Sequence, residues 1–145
     1  MTTQATSVDL LVFSDDSTVR EEVIQAVGTA TAEGTPITVK ECATAEGVRM
    51  AIQERDKNDQ HPFNVLILDA ETKKLGGMGL AHELLTELDV RPPVVLLTAR
   101  PQDQWLASWA QADVVVSRPL DAFTVEEAVA TALTKVKRPS VIVSE

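Results

Sequence analysis

The runs VLIL at 65–68 and VVLL at 94–97 are apolar without interruption yet only four residues long, which leaves few folds open to the chain. A strand solvated on one face alternates polar with apolar side chains, whereas an unbroken run marks a strand buried on both faces, as in a parallel sheet covered by helices. Similar β-rich runs recur, and between them lie longer segments of helical period. The pattern predicts five strands, at Asp9–Ser14, Ile37–Cys42, Asn64–Asp69, Pro93–Thr98 and Asp113–Ser117. Such alternation specifies an α/β, doubly wound, five-stranded parallel sheet of flavodoxin-like order 2-1-3-4-5 with helices on both faces.

The helical segments carry their own signals. Ser17 is expected to N-cap the first, with Val19, Val23, Ile24 and Val27 inward and Gly28 or Gly34 ending it. Thr44 is expected to cap a second bearing Val48, Ala51 and Ile52. A third spans about 78–88, with Leu80, Leu84, Leu85 and Leu88 inward, and Arg91, Pro92 and Pro93 stop it. A short fourth covers about 102–110, and the fifth runs from Asp121 to about Val136 with Val125, Ala128, Val129 and Leu133 as its apolar stripe. The tail after Pro139 reads as extended.

Two strands stop on carboxylates: Val8–Ser14 runs into Asp15 and Asp16, and Phe63–Leu68 runs into Asp69. In a doubly wound sheet the carboxyl ends of neighbouring strands meet at the topological switch point, where ligands bind. Acids gathered there suit a hard divalent cation, and magnesium commonly takes one or two carboxylates together with water and phosphate oxygens. Thr98 and Arg118 fall at or just beyond the ends of the fourth and fifth strands, facing the same pocket.

Composition narrows the function. A length of 145 residues fits one domain, and a formal net charge of -9 argues against a nucleic-acid surface, which needs Lys and Arg to neutralise phosphates. Cys42 is the only cysteine, so no intramolecular disulfide forms; a small buried side chain is the plainer reading of it than a reactive thiol. No apolar stretch approaches the ~20 residues of a membrane helix, and Met1–Ser7 has no signal-peptide core. The expectation is a cytoplasmic protein that meets other proteins rather than membranes or nucleic acid.

Four strand ends together carry the acidic pair of FSDD, the central acid of VLILDAE, a hydroxyl residue followed by Ala in VVLLTA, and a basic residue followed by Pro in VVVSRP. With that combination the chain resembles the receiver domain of two-component response regulators, from Val8 to Lys137. The resemblance implies a receiver domain over residues 1–138 with a tail at 139–145. It implies that Asp69 accepts a phosphoryl group from a histidine kinase or another donor, such as a phosphotransfer protein. Mg2+ would be held by Asp16, Asp69 and the backbone carbonyl of Glu71, with Asp15 acting through a metal-bound water. Thr98 and Arg118 would then engage the phosphoryl oxygens. On this reading the protein is a phospho-acceptor rather than an enzyme, and it signals to a downstream protein partner.

The sequence also departs from that pattern. Arg118 stands where receivers ordinarily have lysine; the charge is kept, but a planar fork replaces a compact ammonium. The salt bridge to Asp69 is expected to persist. Val115 occupies the place of an aromatic switch residue and is β-branched and stiff, so plain strand packing is expected of it. The stretch from Thr98 to Arg118 is about two residues short for the family, with Pro101 early and Gln111 in place of a glycine. Thr72 and Lys73 replace the usual Met-Pro pair, while Gly77 keeps the later turn glycine.

Trp105 and Trp109 lie four residues apart on one face of the fourth helix. Core packing is the default for them; the alternative exposes Trp109 on the face of the fourth helix, fifth strand and fifth helix, which the resemblance assigns to a homodimer or to output. Other signals are weak. Gly76-Gly77-Met78-Gly79 lacks a following Walker pair, His61 and His82 have no ligand partner at metal spacing, Lys73 and Lys74 read as solvated, and Lys135, Lys137 and Arg138 suit a helix C-terminus. Two further functions stay open beside the phosphorylated receiver. One is a pseudo-receiver, an interaction module that takes no phosphate. The other is a small magnesium-dependent phosphohydrolase with Asp69 as nucleophile.

Overall fold

The computed structural model describes residues 7–58, 62–71, 80, 83–84, 92–99, 112–118 and 120–134. Its strands are β1 (Val8–Phe13), β2 (Ile37–Cys42), β3 (Val65–Asp69), β4 (Val94–Thr98) and β5 (Val114–Ser117), and its helices are α1 (Ser17–Val27), α2 (Ala45–Lys57) and α3 (Ala122–Thr134). The strands form one sheet in the order β2-β1-β3-β4-β5, every pair parallel. The doubly wound architecture expected from the alternating runs is therefore the one observed, and each strand lies within one residue of its expected bounds at either end.

Side chains alternate between two cores, which is why the central runs are apolar at every position. Leu11, Phe13, Leu66, Leu68, Val94 and Leu96 point to one face, where they pack with Val48 and Ala51 of α2 and with Leu80 and Leu84. Leu10, Val12, Val65, Ile67, Val95 and Leu97 point to the other, against Val19, Val23 and Val27 of α1 and Val125, Ala128, Val129 and Ala132 of α3. Every residue of β3 and β4 is buried. Cys42 is buried in the first core, and burial pushes its thiol pKa up, as befits a packing side chain.

The helix boundaries show what the local chemistry decided. At α1 the cap is Asp16, not Ser17: the Thr18 N–H donates to Asp16 Oδ1 at 2.9 Å, and the Asp16 carbonyl accepts from Val19 and Arg20. Asp16 is extended (φ -109, ψ 114) and Ser17 is already helical, so Asp16 takes the cap, where a carboxylate also suits the positive end of the helix dipole. Gly28 closes α1 at φ 75, a left-handed conformation that suits glycine. Thr44 caps α2 as expected, its Oγ1 accepting from Gly47 N–H at 2.9 Å. Asp121 caps α3 through Thr124 N–H and hydroxyl, at 2.9 and 2.8 Å.

Of the expected third helix, Leu80, Glu83 and Leu84 are helical, with both leucines buried and Glu83 paired to Arg49 of α2. The expected fourth helix with Trp105 and Trp109, the residues Lys73, Lys74, His61 and His82, the glycine run at 76–79, the basic residues 135, 137 and 138 and the tail at 139–145 lie outside the described residues.

Candidate functional site

The carboxyl edge of β1, β3 and β5 surrounds a cleft of about 440 Å³ lined by Asp15, Asp16, Ser17, Val19, Asp69, Glu71 and Arg118. Register explains the gathering. Phe13 pairs with Leu68, so the next step along β1 and β3 sets Ser14 beside Asp69; Leu97 pairs with Asp69 and Thr98 with Ser117, which brings the ends of β4 and β5 alongside. A larger groove lies elsewhere, between the C-terminal part of α1 and α3, and is lined largely by small and apolar residues such as Val27, Ala30, Val129 and Leu133. It carries none of the site residues.

Asp69 is the central group and is only 2% exposed. Its Oδ1 accepts from the Glu71 N–H at 2.9 Å. Its Oδ2 accepts from the Ser14 hydroxyl at 2.8 Å and lies 3.5 Å from Arg118 Nη2. A buried carboxylate needs such donors, because an unpaired one would carry the full cost of lost hydration. The expected Arg118–Asp69 ion pair is thus present in the unmodified protein, at the long end of hydrogen-bond range.

Asp15 and Asp16 are exposed and line the same cleft. Hydrogen bonds from Thr18 hold the Asp16 carboxyl below the usual carboxylate range. Among the described residues no group of three His, Cys, Asp or Glu side chains is arranged to hold a metal ion, so the three acids expected to gather share a cleft without forming a ready-made cage. The donor set still fits magnesium, which is satisfied by one or two carboxylates and keeps several waters. Among the described residues lining the cleft, every anionic group is an oxygen donor and Arg118 is the one cation.

Thr98 is buried at the end of β4, and its Oγ1 lies 3.2 Å from Ser117 Oγ. It belongs to the same sheet edge but is not among the residues lining the cleft. Val115 is half-buried and packs against the core on the α2 side of the sheet, the plain strand role expected of it.

Three contributions were not legible in the sequence reading. Ser14 is fully buried and bonded to Asp69. Arg20 donates to the Ser14 carbonyl at 2.6 Å and pairs with Glu41 at 3.0 Å, tying β1, α1 and β2 together. The Glu71 side chain, expected to matter through its carbonyl, accepts from Ala99 N–H at 3.2 Å and bridges the loops after β3 and β4. The one available signal was Ser14 itself, a polar residue ending an otherwise apolar run on the face shared by Val12.

A five-stranded parallel sheet of order 2-1-3-4-5 is the architecture of receiver domains. An uncharacterized response regulatory protein of Mycobacterium tuberculosis is 38% identical over 122 residues, which cover 83% of this chain and 87% of the relative. No family model matches the sequence. The fold is shared with the CheY-like response regulator receiver domain protein of Methanospirillum hungatei (TM-score 0.66, 18% identity, 92% of this chain and 98% of that one). It is shared also with the receiver domain of Francisella response regulator 1452 (TM-score 0.71, 16% identity, 90% and 100%). The chain belongs to the response regulators of two-component systems and has the receiver fold. No helix among the described residues is long and apolar enough to cross a membrane.

Proposed function

We propose that Asp69 is a phospho-acceptor and that the protein relays a signal by taking a phosphoryl group there and passing the change to a protein partner. The observation that carries this reading is the environment of Asp69: a carboxylate buried to 2% exposure, held by a donor on each oxygen, at the edge of a cleft that also presents Arg118. Burying such a group is costly, and a purely structural acid would be expected against a core partner rather than at the mouth of a cleft.

In the transfer a carboxylate oxygen of Asp69 attacks the donor's phosphorus, a carboxylate–phosphorus bond forms, and the donor's bond to phosphorus breaks with its electron pair leaving on the donor. Asp16, Asp69 and the Glu71 carbonyl would hold Mg2+, with Asp15 acting through a bound water, and the ion would supply charge neutralisation to the phosphoryl oxygens. The chain's own residues do the rest. Ser14 and the Glu71 N–H aim the Asp69 carboxylate, and Arg118 stands near enough to pair with a phosphoryl oxygen. Thr98 would exchange its Ser117 contact for the phosphoryl group, and its loop would follow. The donor is a histidine kinase or phosphotransfer protein, and the output goes to a downstream protein or a second copy of the chain.

The test is incubation with acetyl phosphate and Mg2+, followed by intact-mass spectrometry of wild type and Asp69→Ala. One phosphoryl group per chain on wild type and none on the variant supports the reading. An unlabelled wild type, which the Thr98–Ser117 pairing would accommodate, makes the protein an interaction module without phosphorylation. Sustained turnover of an aryl phosphate makes it a hydrolase.

A further inference from the structure

We infer that Ser14 is a positioning residue for Asp69, and that its single hydroxyl fixes the acceptor carboxylate and the Asp15–Asp16 turn relative to one another. The inference rests on the acceptor reading of Asp69 and names the side chain that makes that site precise. Ser14 is fully buried, and its Oγ makes two contacts at once. It donates to Asp69 Oδ2 at 2.8 Å and accepts from the Asp16 N–H at 3.0 Å.

The direction of those bonds is not arbitrary. An N–H only donates, so the Asp16 contact consumes an acceptor lone pair of Ser14, and the one hydroxyl proton is left for Asp69. The rotor is therefore locked from both ends. The Ser14 carbonyl is held in turn by Arg20 Nη1 at 2.6 Å, and Arg20 is anchored on Glu41 of β2. Acceptor, acid turn, helix start and edge strand meet at this residue.

Chemistry explains why a hydroxyl serves here. An alanine would leave the Asp16 N–H without its Oγ acceptor and the buried Asp69 Oδ2 without its nearest donor. An acid would set a second carboxylate at the same short distance from Asp69. A neutral group that donates one bond and accepts another meets both needs.

Losing the hydroxyl has two opposed effects on transfer. A hydrogen bond to the carboxylate draws electron density from the nucleophile, so its removal makes Asp69 intrinsically more reactive. Its removal also frees the carboxylate to turn, and a misplacement of about 1 Å costs on the order of 100-fold in rate. A neutral hydroxyl perturbs the nucleophile modestly, so misplacement dominates.

The experiment measures labelling of the full chain by acetyl phosphate with Mg2+, as limiting rate and half-saturating concentration, for wild type, Ser14→Ala, Ser14→Cys and Ser14→Thr. Melting by circular dichroism establishes that each variant is folded. Ser14→Ala and Ser14→Cys are expected to lower the limiting rate about tenfold or more with the half-saturating concentration little changed, and Ser14→Thr to restore most of it. Cysteine nearly preserves volume and removes most of the donor strength, so it carries the test if alanine does not fold. Labelling of Ser14→Cys at the wild-type rate overturns the inference, as does a threonine variant no faster than alanine. If wild type itself takes no label, the acceptor reading of Asp69 falls and the role of Ser14 falls with it. Wild-type labelling together with unaffected variants overturns the role of Ser14 alone.

Discussion

Arg55 of α2 reaches under the sheet to pair with Asp9 of β1 at 3.0 Å, at the end of the strand opposite the candidate site. Asp9 is buried to 7% exposure and also accepts from the hydroxyls of Thr38 and Ser7, at 2.6 and 2.8 Å. Arg55 in turn lies over the Phe63 ring at 4.0 Å. One carboxylate thereby joins α2 to β1 and β2, and the cost of burying it is met by donors already in place. Nothing at this end touches the cleft, so stability and function can be perturbed separately.

The Asp9 cluster makes stability acid-sensitive. Burial alone would raise its pKa, but the bonds from Thr38, Ser7 and Arg55 outweigh burial and hold it below 3.8. A carboxyl depressed in the folded state contributes stability that is complete above its unfolded value, and that contribution is lost as pH falls through the folded value. Urea titrations should show unfolding free energy falling more steeply below about pH 4 in wild type than in Asp9→Asn.

Arg55→Ala should cost about 1–3 kcal/mol, less than a fully orphaned buried charge, because two hydroxyls still serve Asp9. The loss includes the cation–π contact with Phe63. Acetyl phosphate labelling of the folded variant should match wild type.

At Leu66 the whole side chain lies in the core between the sheet and α2, with 0% exposure. Leu66→Ala should lower stability by about 2–5 kcal/mol through lost burial and the cavity left behind. Chemical denaturation with an unchanged slope would confirm that the effect is on packing.

Arg118→Ala should separate signalling from folding. A partly exposed pair at 3.5 Å contributes only about 0–1 kcal/mol, so the melting temperature should change by no more than a few degrees. Labelling of Asp69, by contrast, should fall in yield or lifetime because the phosphoryl group loses its cation. Arg118→Lys should recover the charge effect but not the paired geometry of the guanidinium, giving intermediate behaviour. Equal labelling and partner binding by all three proteins would show that Arg118 plays no part.

Asp16→Ala should lower the melting temperature by removing the acceptor for the Thr18 N–H, and Asp16→Asn should spare most of that loss because asparagine caps equally well. The same pair reports on the cleft. If Asp16 also helps hold Mg2+, both variants should weaken Mg2+ binding, measured by calorimetry, although only alanine weakens the helix.

Much of the fold was legible in the residues because both of its signals are local. Unbroken apolar runs state that a strand is buried on both faces, and helical period between them states what covers it. The caps show the limit of that reading. Asp16 and Ser17 are both good cap residues, and only the entry angle from β1 into α1 decides which side chain meets the Thr18 N–H.

The site divides in the same way. Sequence alone placed Asp15, Asp16, Asp69, Thr98 and Arg118 at strand ends, because the ends follow from the strands and the strand order from the fold class. It did not show that the Thr98 hydroxyl faces Ser117, or that Asp16 caps α1. Nor did it show that Ser14 holds Asp69, 55 positions further along the chain. Those are facts of register: Phe13 beside Leu68 puts Ser14 beside Asp69, and a slip of one residue would turn the hydroxyl to the other face. Residue type determined which chemistry this sheet edge carries, and the tertiary pairing of β1 with β3 decided which atoms hold the acceptor, because hydrogen bonds depend on distance and direction that no single strand contains.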